Sequence, residues 1–99
     1  MSGILFAVED RFLVRGRGLI LVPGLPPGSA DRFRAGDPIL LKRPDGSHLP
    51  WTIGALELLI EQPFRPPLER HVPILRLGLG KDEVPVGTEV WAGEPNPGA

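Results

Sequence analysis

The chain has 99 residues, with 11 Lys and Arg against 12 Asp and Glu, a net charge of −1 and no cysteine. That length holds one domain with a modest core. The near-balance of charge excludes a strong non-specific nucleic-acid or anionic-membrane binder, and the missing cysteines exclude disulfides, thiolate metal sites and cysteine nucleophiles.

Residues 4–15 alternate. Phe6, Val8, Asp10, Phe12 and Val14 share one parity; Leu5, Ala7, Glu9, Arg11, Leu13 and Arg15 share the other. Period two predicts a strand with one side on a core. On that parity Asp10 turns inward and is expected to bond backbone N–H groups or an arginine near Gly16-Arg17-Gly18. Those glycines permit a tight turn. Leu19–Val22 then returns as a buried strand, so a hairpin is predicted.

Pro23–Ala35 reads as a loop, because its prolines cannot donate to a ladder. Ile39–Lys42 is a short strand, and Arg43-Pro44-Asp45-Gly46-Ser47 a turn in which Pro pre-sets φ. Trp51–Ile60 has helix formers at Leu56–Ile60, but Trp51, Thr52, Ile53, the break at Gly54 and the bracketing prolines favour a long strand. Gln62–Arg70 is a second proline-rich loop, with Phe64 at its centre. His71–Leu77 is a strand, Gly80–Val84 one helical turn, Thr88–Ala92 the last strand, and residues 94–99 a loose tail.

Six or seven short strands and thirteen glycines and thirteen prolines spread among them predict an all-β, closed antiparallel barrel. It occupies residues 1–99 as one domain, with its core at about residues 4–93. No apolar run approaches the length of a membrane span. Ile4–Val8 is too short for a signal peptide and lacks a basic flank, so a cytoplasmic protein is expected.

Two distant segments carry a resemblance. The first is Glu9-Asp10, then Phe12, then Gly16-Arg17-Gly18. The second is Leu77-Gly78-Leu79-Gly80-Lys81-Asp82-Glu83-Val84, then Gly87 and an apolar strand. With Gly36-Asp37 ahead of Ile39, they resemble the second, β-barrel domain of elongation factor Tu and related translational GTPases, over roughly residues 6–93. The resemblance implies a translation-factor-type barrel, here expected to stand alone without a GTPase domain. In that family the barrel helps hold the 3′ end of aminoacyl-tRNA. Glu57 matches the family's pocket Glu and His71 falls on its Asn. The basic positions fall on Ile60 and Glu61, so that contact is missing. GTP hydrolysis is not implied, since no Gly-x-x-x-x-Gly-Lys-Ser/Thr loop is present to cradle phosphates.

Catalytic chemistry has little to stand on. Glu9 and Asp10 are adjacent on a strand and so point to opposite faces. No Gly-x-Ser-x-Gly elbow surrounds a serine. His48 and His71 lie in different elements, which leaves no metal site expected, and no cofactor is expected either. Arg15, Arg17, Arg32 and Arg34 are candidates for holding a phosphate or an acidic partner, against the plainer role of solvated arginines at corners. Phe64, an aromatic on a stiff loop, costs little entropy to bury against a partner. The expectation is a non-enzymatic binding module. A protein partner would dock through Pro23–Ala35 and Gln62–Arg70, and the alternative is an RNA or tRNA 3′-end binder around Glu57 and His71. Neither DNA nor a membrane is expected as a partner.

Overall fold

Two places where the chain changes sides organise this fold. A computed structural model describes residues 4–26, 28–61 and 68–93. It contains seven strands: β1 (Ile4–Ala7), β2 (Asp10–Val14), β3 (Gly18–Val22), β4 (Pro38–Lys42), β5 (His48–Glu61), β6 (Leu68–Leu75) and β7 (Glu89–Ala92). The strand order is β1-β7-β4-β5-β6-β3-β2, and every pairing is antiparallel. Short 3-10 turns occupy Ala30–Arg32 and Lys81–Glu83.

The first change of side is at Val8-Glu9. The expected single strand over 4–15 is two strands, β1 on β7 and β2 on β3. Val8 N–H donates to Thr88 O at 2.8 Å beside β7, and the next residue, Glu9, donates to Val22 O at 2.9 Å at the end of β3. The second change is within β5. Its first part pairs with β4 and its second with β6, with a bulge between Ile53 and Ala55. Gly54 sits in that bulge, where a Cβ would lie 3.2 Å from the Arg76 Cα and the Ile74 carbonyl oxygen. A bulge adds one residue and bends the strand, so the inward parity switches from Leu49, Trp51 and Ile53 to Leu56. All four pack on or within the core.

The sheet therefore curls around a core of Phe6, Val8, Leu19, Leu21, Leu25, Ile39, Leu41, Ile53, Leu75, Leu79, Val84 and Val90. The expectation of a closed barrel is corrected here. β1 and β2 stand at the two ends of the strand order. As consecutive pieces of one segment they follow each other end to end, so no ladder joins them. The covalent chain, rather than hydrogen bonds, links the two edges.

The same switch corrects Asp10. Beyond Glu9 the residues opposite the core residues Leu21 and Leu19 are Arg11 and Leu13, and Leu13, at the sheet's edge, is itself 58% exposed. Asp10 is exposed, and its carboxylate accepts the Arg11 N–H at 2.8 Å. Phe12 falls on the outer face with it and is 49% exposed.

Other expectations hold. The β2–β3 hairpin turns at 15–17, with Arg17 N–H donating to Val14 O at 3.0 Å. The turn after β4 is tied by Arg43 and Ser47. The Ser47 N–H and hydroxyl both donate to Asp45, and those bonds hold its carboxyl below the usual carboxylate range. Trp51 is half-buried on the core and donates its Nε1–H to Arg76 O at 2.8 Å. Trp91 is half-buried on the outer face, with the Lys42 ammonium 3.7 Å from its ring centre. Leu68–Arg70, expected in a loop, belong to β6. Residues 62–67 and 94–99 lie outside the described residues.

Candidate functional site

β5 and β6 are much longer than the strands beside them. β6 meets β3 only at Ile74 and Leu75, while its ladder with β5 continues out to Glu61 and Leu68. The hairpin thus runs on from the core as a two-stranded arm, and the molecule measures 44 × 27 × 27 Å along its principal axes. Directly opposed residues of an antiparallel ladder share a face. The pairs Ile53–Leu75, Leu56–Pro73 and Leu58–His71 form one row along the core side of the hairpin. The core covers the first pair of that row, and at the third Leu58 is 49% exposed.

The base of the arm is fixed by the start of the long loop. Leu25 N–H donates to His71 O at 2.8 Å, and Leu25 is buried in the core. Gly24 makes this possible. Its φ is +105°, and a Cβ there would lie 2.7 Å from the same His71 oxygen. Loop Pro23–Ala35 and the β5–β6 arm are therefore anchored to each other at the arm's root.

Among the candidate residues, Arg17 and Glu57 come together. The Arg17 guanidinium donates to Glu57 Oε1 across 40 positions of sequence, from the β2–β3 turn to the outer face of β5. Their side chains are 52% and 43% exposed, so the pair contributes at most about 1 kcal/mol. Arg70 lies on the Glu57 side of the ladder, and its Nε is buried without a partner among the described residues.

Glu57 and His71 do not come together. Glu57 pairs with Val72 and His71 with Leu58, so the two side chains project from opposite faces of the arm. Arg15, Arg32 and Arg34 are exposed, and none of them forms an ion pair among the described residues. The loop that carries Arg32 and Arg34 is bonded internally. Ser29 Oγ donates to Pro26 O at 2.6 Å, Arg32 N–H to Ser29 O at 3.0 Å, and Arg34 N–H to Asp37 Oδ2 at 3.0 Å. Phe64 lies outside the described residues.

Sequence reasoning missed Leu58 as a surface residue. The bulge at Gly54 sets which parity faces the core, and the length of β3 sets where the core stops; neither is local to Leu58. No group of histidine and carboxylate side chains fit to hold a metal is found among the described residues. No helix there is long and apolar enough to cross a membrane. No protein-family model, curated protein or solved structure matches the chain.

Proposed function

We propose that this protein is a non-enzymatic interaction module. It carries a curled antiparallel sheet that resembles the elongation factor Tu second domain, and docks on a protein partner through the β5–β6 arm and the adjoining loop Pro23–Ala35. The observation that carries the reading is the row ending at Leu58. A core-facing stripe that outruns its core leaves apolar surface in water, and a two-stranded ladder without neighbours is marginal by itself. A partner laid on that face would bury Leu58 and stiffen the arm. Phe64, which the sequence places between β5 and β6, is the expected aromatic anchor, of the kind that dominates binding energy. The opposed faces of Glu57 and His71 weigh against a shared pocket for an RNA 3′ end.

The test is capture of tagged protein from its own cells, with the eluate split for RNA and for protein. The expected result is a defined protein that survives nuclease treatment and moderate salt. A defined RNA that is lost steeply as salt rises would favour the RNA-binding alternative and its exposed arginines Arg15, Arg17, Arg32 and Arg34.

A further inference from the structure

β2 ends the strand order, so one of its edges has no strand against it among the described residues. The turn Lys81–Glu83 lies near β2 without adding a strand to it. The free edge is identified by its hydrogen bonds. Val14 O accepts the Arg17 N–H at 3.0 Å, which turns Val14 toward β3, and the Arg11 N–H, of the other alternation, donates to the Asp10 carboxylate at 2.8 Å. By the alternation of an antiparallel ladder, the backbone groups of Leu13 point the same way. Such an edge is a template for another strand. Both faces beside it carry exposed apolar side chains, Phe12 at 49% and Leu13 at 58%.

We propose that this edge pairs with the same edge of a second copy of the chain, antiparallel about a two-fold axis at Phe12. Charge and register argue for a second copy. Centred on Phe12, Arg11 of one copy opposes Leu13 of the other, Asp10 opposes Val14, and Glu9 opposes Arg15. The two-fold repeats each contact, so one interface holds two Glu9–Arg15 pairs and a Phe12–Phe12 pair. Neighbouring registers are worse. Centring on Arg11 sets two guanidinium groups opposite each other, and centring on Leu13 sets Arg11 opposite Arg15. Like charges directly opposed across strands are destabilising. The Asp10 carboxylate guards the edge in the single chain. On pairing, the Arg11 N–H exchanges that carboxylate for the Leu13 carbonyl oxygen of the other copy. This interface is separate from the β5–β6 arm and does not depend on it.

Sedimentation equilibrium on the full chain tests the proposal. The wild type is expected to show a concentration-dependent monomer–dimer equilibrium that salt weakens. Glu9→Arg and Arg15→Glu each oppose like charges twice, and each is expected to weaken the dimer by roughly tenfold or more. The double variant is expected to restore the dimer. An equimolar mixture of the two single variants should form a heterodimer, because all its facing charges are then opposite. Both positions are exposed, so the variants should fold, and circular dichroism checks that they do. A wild type that stays monomeric overturns the proposal. So does a dimer that neither reversal weakens, or one that the double variant fails to restore.

Discussion

Replacing Gly18 with alanine is expected to cost about 3 kcal/mol or more, by the combined magnitudes of backbone strain and overpacking. Two independent effects coincide at this residue. Its φ is +133°, a conformation that L side chains rarely adopt, and a Cβ would land on the Leu75 carbonyl oxygen, far inside van der Waals contact. That carbonyl belongs to β6, beside the Leu19–Leu75 pair, so the strand cannot retreat without loosening the β3–β6 ladder. A small domain has roughly 5–15 kcal/mol in total, so the loss is a large fraction of its stability. Gly46 supplies the control. Its φ of +91° is also positive, but nothing lies within 4 Å of a Cβ there. Gly46→Ala should cost only the conformational strain, about 1–2 kcal/mol. Urea midpoints of the two variants measure the difference. Equal costs would mean that β3 and β6 do not approach each other closely at Gly18.

Leu21→Ala is expected to cost about 2–5 kcal/mol, the range for emptying a fully buried leucine site. Leu21 is completely buried within the core, and the rigid ladders on both sides of β3 limit how far the cavity can collapse. The adjacent Ile20 points to the opposite face, between the buried Ile74 and the exposed Phe12, and is half-buried. Ile20→Ala should cost about 1–2 kcal/mol, in proportion to the apolar area it covers. Denaturant unfolding of the pair therefore reports which face of β3 is inside. A larger loss at Ile20 than at Leu21 would reverse the assignment of faces.

The elements that could be read from sequence are those whose signals are local. Leu19–Val22 is buried, flanked by glycines and short, and the turn at Gly16-Arg17-Gly18 sets its partner. The Pro44-Asp45-Gly46 turn likewise fixes β4 against β5. Trp51–Ile60 was legible as a strand because β-branched and aromatic residues precede Gly54 and prolines bracket the segment. Its faces were not legible, because the bulge changes parity partway along. The reading of 4–15 failed for the same reason. Phe6, Val8, Asp10, Phe12 and Val14 keep one parity in the sequence, yet the chain crosses between the two edges at Val8-Glu9, and Asp10 and Phe12 emerge outside. Alternation reports sidedness only within one stretch of sheet.

The candidate residues show the same limit. Arg17 and Glu57 are 40 positions apart, and nothing in their neighbourhoods announces the pairing. The separation of Glu57 from His71 follows once the β5–β6 register is known, since Glu57 takes Val72 and Leu58 takes His71. A resemblance can match residues to a family's pocket without their sharing a face. On the opposite face of the arm from Glu57, Leu58 is 49% exposed.

The most direct measurement is capture from source-cell extract with the Leu58→Asp variant beside the wild type. Leu58 is 49% exposed, so the change should leave the fold intact while placing a charge in the proposed interface. The protein captured by the wild type is expected to be lost or weakened by roughly tenfold or more in the variant, as for a central interface residue. Equal capture by a folded Leu58→Asp protein would contradict the arm as the docking surface.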